Sequence, residues 1–468
     1  MTPQGWVPQI EGVAGPIYLA VADAIGTAVA QGDLRAGERL PTHRALADAL
    51  GVDLTTVTRA YAEARRRGLL QATVGRGTFV RAGSPPRPKE EAEPERVVDL
   101  GMNLPPQPAD LPLQEVIARG MSALLARGAP DERLTYRAGS GTEAERAAGA
   151  AWLRPTLGLV DAERVVLSPG AQPALLAALG TMAGRGDVLL TDALTYPGIR
   201  GIAAALGLRL LGIAGDGEGM DPDALAAACR DTRPNVLYLT PTMHNPTAVT
   251  MPPERRRAIA EVARRNGLLI LEDDAYGLLP SDPLPALASL APEITFHIAT
   301  VSKVLSPALR VAYLIAPDGR AARAASAALR ANVLMASPLL TGLMTGWIED
   351  GTAGAIVSAI RRECAARQRI AREILPEGAF DAHPEGLHLW LRLPRRWDRL
   401  DFTAQLQRRE GLALVPSDAF WVGEDKPPDA VRVSIGAAHH QGALRSALRA
   451  VATVMRDEAT PESFSEVV

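Results

Sequence analysis

Three lysines occur in this chain, Lys89, Lys303 and Lys426, out of 50 lysines and arginines together. Arginine stays protonated, whereas lysine can lose its proton and attack a carbonyl carbon to form an imine. Lys89 lies among prolines and glutamates, and Lys426 stands beside Pro427 and Pro428. Lys303 sits in a patterned segment, ATVSKVLSPALRVAYL, with Thr300, Ser302 and Arg310 at spacings suited to an anion. A lone lysine is usually a surface charge. Its scarcity here marks Lys303 as a candidate nucleophile, with a pKa lowered by burial and nearby positive charge.

Other segments carry complementary chemistry. Ser168-Pro169-Gly170-Ala171-Gln172 follows the run ERVVLS and opens a helix. Small residues there let backbone N–H groups approach a phosphate, although such turns are common in α/β folds. Tyr196, in DALTYPG, has a ring that can stack on a flat ligand or simply pack. Asn245, in TPTMHNPTA, offers an amide donor, and neighbouring His244 reads as incidental. The run LLILEDDAYG ends in Glu272, Asp273 and Asp274. These acids suit either a protonated ring nitrogen or a divalent cation such as Mg²⁺. Arg432, in AVRVSIG, has a fork that matches a carboxylate, though a surface role is commoner for a strand arginine.

The elements that must position these groups alternate. From about residue 98 to 460, apolar runs such as DVLLTD, NVLYLT and GLLILEDD are interleaved with helical stretches, which predicts an α/β fold around a mainly parallel sheet. We expect a large part over about 155–345 and a small part over about 98–150 and 346–460. Residues 84–97, proline-rich and charged, read as a linker. The uncharged stretch 331–348 contains Pro338 and several polar residues, and is expected to be a buried or subunit-facing helical segment rather than a membrane span.

Residues 1–83 read as a separate unit. Ile17, Val21, Ile25 and Val29, spaced by four, predict a first helix over about 17–31. A second is expected from Thr42 to Gly51 and a third from Thr55 to about Arg67. Two short strands, 69–74 and 78–81, flank Gly75-Arg76-Gly77. Helix, helix, turn, helix and a glycine-tipped hairpin make a winged helix-turn-helix, an α-helical DNA reader with a β wing. The third helix would then present Thr55, Thr56, Thr58 and Arg59 to the major groove. Arg44 and the wing residues Arg76 and Gly77 would lie near phosphates.

Net charge is −3, so any nucleic-acid binding must be local. Residues 1–83 hold nine arginines against seven acidic residues, an excess that implies modest non-specific affinity. Two cysteines exclude a disulfide framework and a cysteine metal cluster and fit a reducing cytosol. No signal peptide is apparent, so a cytoplasmic location is expected. We expect no metal site.

Residues 16–81 (PIYLAVADAI, GDLRAGERLPTHRALADALGV, TTVTRAY, GLLQATVGRGTFV) resemble the GntR family. The order Gly170, Asn245, Asp273, Lys303, Arg432 resembles the fold-type-I aminotransferases, with Ala248 where their Asn-Pro-x-Gly loop has glycine. The domain order as a whole resembles the MocR/GabR group of transcriptional regulators. This resemblance implies pyridoxal 5'-phosphate held by Lys303 as a Schiff base, with Asp273 on the ring nitrogen. It implies Tyr276 and Asn245 on the phenolic oxygen, and Gly170, Ala171, Gln172, Thr300, Ser302 and Arg310 around the phosphate. Arg432 would take a substrate or effector carboxylate. Tyr136, in LTYRAGSGTEAERAAGAAWL, would reach the phosphate of a neighbouring subunit in a homodimer. The implied function is a DNA-binding regulator that senses an amino compound. The alternative is an active aminotransferase that carries a DNA-binding domain.

Overall fold

The computed structural model describes residues 6–8, 17–31, 33–35, 37–66, 69–73, 77–80, 98–126, 134–137 and 139–457. The chain divides into two compact units, Met1–Arg96 and Val97–Val468. Arg76 and the expected linker 84–97 lie outside the described residues.

The first unit contains three helices, α1 (Ile17–Gln31), α2 (His43–Leu50) and α3 (Leu54–Arg66). A hairpin of β1 (Leu70–Thr73) and β2 (Gly77–Val80) follows, antiparallel, with Leu70 opposite Val80. Thr42 caps α2 by accepting the Ala45 N–H at 3.2 Å, and Gly51 closes it at φ 63°. Asp53 accepts the Thr55 N–H at 2.7 Å, which fixes where α3 begins. Val21, Ile25, Leu46, Val57, Tyr61 and Leu70 form the core. Ile17, expected on that stripe, is 49% exposed, and Ala22 and Ala28 complete the buried face instead.

The second unit opens with the short strand β3 (Val98–Asp99) and is built on a seven-stranded sheet. The strands of that sheet are β4 (Val165–Ser168), β5 (Val188–Asp192), β6 (Arg209–Ile213), β7 (Val236–Leu239), β8 (Leu269–Asp274), β9 (Thr295–Thr300) and β10 (Ala312–Ile315). Their spatial order is β4-β10-β9-β8-β7-β5-β6. β5 to β9 pair in parallel, while β10 runs antiparallel to both β9 and β4. Strand residues alternate between two buried faces. Val166, Leu189, Tyr238, Leu271, Ile298 and Leu314 face one core, covered by α4 (Ala171–Met182), α5 (Pro197–Leu206) and α6 (Gly319–Val333). Val165, Leu167, Ala299, Tyr313 and Ile315 face another.

A smaller antiparallel sheet unites 380–381, 389–392, 430–433 and 415–416, backed by the helices Arg399–Glu410 and Gln441–Arg456. The parts divide differently from the sequence reading. Residues of the helix Leu113–Ala126 and of the segment 150–157 pack with Leu167, Tyr313 and Leu343, on the large sheet. Leu100 alone of that early stretch joins the small core. The helix Thr352–Ile374 belongs to both, with Ile356 and Ile360 in the large core and Ile370 in the small. Residues 331–348 are not one helix: α6 ends at Val333, Leu334 takes φ 64°, and Pro338 starts a new helix, since proline cannot continue an existing one. No helix among the described residues is long and apolar enough to cross a membrane.

Candidate functional site

The carboxyl ends of β4, β7, β8 and β9 converge on a cavity of about 410 Å³, the place where open α/β sheets hold ligands. Alternation along β8 decides which of its three acids reaches the cavity. Asp273 shares the face of Leu271 and lines the cavity, while Glu272 and Asp274 share the face of Ile270. Glu272 accepts the Leu287 and Ala288 N–H groups at 2.8 and 2.9 Å and lies 2.9 Å from His297 Nδ1. Burial disfavours charge on both partners, yet His297 holds the Glu272 pKa below its ordinary value and Glu272 holds that of His297 above. Among the described residues no group of three or more His, Cys, Asp or Glu is arranged to hold a metal ion.

Asp273 Oδ2 accepts the Tyr238 hydroxyl at 2.8 Å. Its Oδ1 is buried and has no partner among the described residues. Burial raises its pKa to about 6, against the lowering effect of the Tyr238 bond. A buried oxygen of this kind lacks a donor, and a protonated ring nitrogen supplies one.

Lys303 Nζ donates to the Asn103 carbonyl at 2.6 Å inside the same cavity. Burial lowers its pKa to about 8; Arg432 adds to the shift and Asp273 opposes it. Part of the lysine population therefore carries a free lone pair near neutrality. Asn103 Nδ2 donates to the Tyr276 hydroxyl at 2.9 Å and contacts His388 Nδ1 at 3.1 Å. The other ring nitrogen of His388 faces the His244 carbonyl at 3.1 Å. Burial lowers the His388 pKa to about 3, so the ring is neutral. It then carries its proton on Nε2 and accepts from Asn103 at Nδ1. Tyr276 accepts from Asn103 and keeps its own hydrogen to donate.

Arg432 Nη1 donates to Asn245 Oδ1 at 2.7 Å, and Nη2 donates to the Gly101 carbonyl. This bond turns the Asn245 carbonyl toward Arg432 and leaves its amide hydrogens for the cavity. Arg432 lies over the Phe420 ring at 5.0 Å, and its buried Nε has no partner among the described residues. Tyr196 accepts a hydrogen bond from Gln172 at 2.7 Å. At the other end of the cavity, Gly170 (φ 104°) precedes α4 with no side-chain cap, so first-turn N–H groups stay open. A Cβ on Gly170 would stand 2.5 Å from the Arg310 guanidinium. Thr300 and Ser302 hydroxyls lie 3.0 Å apart beside it.

The residues anticipated from sequence thus meet around one cavity, with two qualifications. Gly170 borders it through Ala171, and Tyr136 is 82% exposed and does not line it. Asn103, Tyr238, His388 and Thr240 were not anticipated. Ala248, in the glycine position of the loop, takes φ 61°.

In the first unit, Arg44, Thr55, Thr58 and Arg59 are exposed and Thr56 is partly so. Thr55 and Thr58 are already engaged, with Asp53 Oδ1 and with the Leu54 carbonyl at 2.9 Å. Arg59 lies over the Tyr18 ring at 4.9 Å. Gly77 takes φ 118°, and a Cβ there would stand 2.9 Å from Arg39 Nε.

The cavity fits pyridoxal 5'-phosphate. Lys303 would hold its carbonyl carbon, Asp273 its ring nitrogen, Tyr276 and Asn245 its phenolic oxygen, and the Gly170 turn with Ser302 and Arg310 its phosphate. An exposed recognition helix beside a hairpin, joined to such a cavity, defines a cofactor-dependent DNA-binding regulator. Comparison with known proteins agrees. The aminotransferase class I and II model matches residues 95–451, and the bacterial gntR regulatory model matches residues 17–80. The chain belongs to the class I and II aminotransferase family and carries a gntR-type DNA-binding unit, the MocR/GabR combination. It is 31% identical over 436 residues to the uncharacterized HTH-type transcriptional regulator YdeF of Bacillus subtilis (strain 168), covering 92% of this chain and 93% of that one. It is 29% identical over 452 residues to the HTH-type transcriptional regulator TauR of Rhodobacter capsulatus, covering 88% and 90%. The solved structure of LysN, an alpha-aminoadipate aminotransferase from Thermus thermophilus complexed with N-(5'-phosphopyridoxyl)-L-leucine, superposes with a TM-score of 0.69. That match is 25% identical and covers 76% of this chain and 92% of LysN.

Proposed function

We propose that this regulator senses a small amino compound bearing a carboxylate, through Lys303, and that the outcome is read at the DNA. The observation that carries the proposal is one cavity lined by a lysine with its pKa lowered to about 8, an Asp273 whose buried oxygen has no partner among the described residues, and a buried arginine fork. When bound, pyridoxal phosphate supplies an electron-withdrawing ring conjugated to a carbonyl carbon that reacts with primary amines. Lys303 supplies the amine that holds it. Asp273 keeps a proton at the ring nitrogen, Asn245 and Tyr276 orient the ring, and Arg432 pairs with the incoming carboxylate. Homodimer formation belongs to the same proposal. Leu134 and Tyr136 are 67% and 82% exposed, a surface suited to a partner subunit.

Lys303→Ala removes the amine while leaving the DNA-binding unit untouched. The variant is expected to lose the visible absorbance of bound cofactor after dialysis and to bind promoter DNA without any effector response. An unchanged effector response would overturn the proposal. A second reading, steady transamination, is favoured by the occupancy of every position that chemistry needs. Sustained turnover of an amino acid with a 2-oxo acid would establish it. A single stoichiometric reaction without ketone product supports sensing.

A further inference from the structure

A second cavity, of about 300 Å³, lies at the carboxyl ends of β5, β6 and β7. It is distinct from the cofactor cavity, though Thr240 borders both. Its walls are apolar, with Leu194, Ile213, Leu239, Val249, Met251 and Trp421 among them. Two acids line this space, Asp216 at its rim and Asp192, whose side chain keeps 15% of its surface. Among the described residues, no lysine or arginine lines the cavity. The basic atom beside Asp192 is His244 Nε2 at 3.6 Å, beyond hydrogen-bond reach. Burial lowers the His244 pKa to about 4, so that ring carries no charge near neutrality. The other acid at the rim, Asp216, already pairs with Arg255 at 2.9 Å. Burial holds the Asp192 pKa up at about 7, the signature of a carboxyl group without a cation.

An apolar pocket with one unneutralised carboxyl group is complementary to an apolar body carrying one positive charge. We propose that this cavity binds a small apolar amine as its ammonium ion, with Asp192 as the counter-ion. The site is separate from Lys303 and does not depend on chemistry there. It adjoins that chemistry, because His244 lines this cavity while the next residue, Asn245, lines the other. The His244 carbonyl also accepts from His388, which contacts Asn103.

The probe is N,N-dimethyl-2-phenylethylamine, a tertiary amine that cannot condense with a carbonyl group. The full-length, cofactor-loaded protein is titrated by calorimetry. One equivalent per chain is expected to bind saturably at millimolar concentration or below. Asp192→Asn should weaken binding roughly tenfold or more by removing a charge-assisted contact. Ala214→Phe, at an exposed lining position, should block the cavity without disturbing the core. The cofactor-free parent should bind the probe as the cofactor-loaded protein does, which separates this site from the Lys303 reading. Absence of saturable binding, indifference to Asp192→Asn, or loss of binding in the cofactor-free parent would each overturn the assignment.

Discussion

Asp273 is under two opposed demands. The fold buries its charge, which raises its pKa from 3.8 to about 6, and a bound ring nitrogen needs that charge. Above about pH 6 the carboxylate is ionised whether the chain is folded or not, and the folded state bears the whole penalty, about 3 kcal/mol. Below about pH 4 it is neutral in both states and the penalty vanishes. Asp273→Asn keeps an acceptor for Tyr238 and removes the charge. The cofactor-free variant is therefore expected to be about 1–3 kcal/mol more stable than the parent at pH 8, and the gain should fade between pH 6 and pH 4. Urea denaturation across that range checks this. A gain independent of pH would show that the charge is not its source. The same variant should bind pyridoxal phosphate at least tenfold more weakly, by fluorimetric titration.

At the level of elements, the turn into α4 makes a sharper demand than its sequence showed. Gly170 has a positive φ, and a side chain there would meet Arg310. Gly170→Ala is expected to strain the turn by about 1–2 kcal/mol and to displace the guanidinium. Cofactor affinity should fall roughly tenfold or more, and equilibrium dialysis measures it. Unchanged affinity would remove this turn from the phosphate site. The scarcity of lysine made Lys303 legible in the sequence, whereas the turn, Asn245 and Arg432 were weak singly and stood out through their order, by family resemblance. Asp273 stood out from its acidic neighbours by family resemblance. The strand alternation that places Leu271 and Asp273 on one face supplies the physical reason. Asn103 and His388 left no such trace. Asn103 acts on Lys303 through a backbone carbonyl 200 residues away, and meets His388 at a separation of 285. Contacts of that range depend on how the small sheet docks, which no local pattern encodes. The break before Pro338 was missed, because the uncharged run read as one helical segment despite the proline within it.

For the whole molecule, a net charge of −3 confines DNA attraction to the first unit. Arg59, exposed and lying over the Tyr18 ring, is proposed to meet a phosphate from the recognition helix. If it does, Arg59→Ala should weaken binding about equally on specific and unrelated duplexes. The slope of log affinity against log salt should shrink by about 1. Fluorescence anisotropy over a salt series checks both. An unchanged slope together with loss on the specific duplex alone would assign Arg59 to base reading. No change in either would take it out of the interface.

The stretch 98–104 lies at the start of the second unit, and it is fastened along its length. β3 pairs with Leu412–Ala413, the Gly101 carbonyl holds Arg432, and the Asn103 carbonyl holds Lys303. Two of those fastenings are the groups assigned to hold cofactor and carboxylate. A lysine amine turned to a ligand leaves its carbonyl, whereas the Arg432 fork has further N–H groups, Nε among them, with which to meet a carboxylate. Occupancy of the cavity is therefore expected to be felt on this strap first at the Asn103 carbonyl. The strap continues, along the chain, from the stretch that leads out of the DNA-binding unit, so a change of hydrogen-bond partner at Lys303 falls only a few residues from β3, where the sensor's anchored part begins.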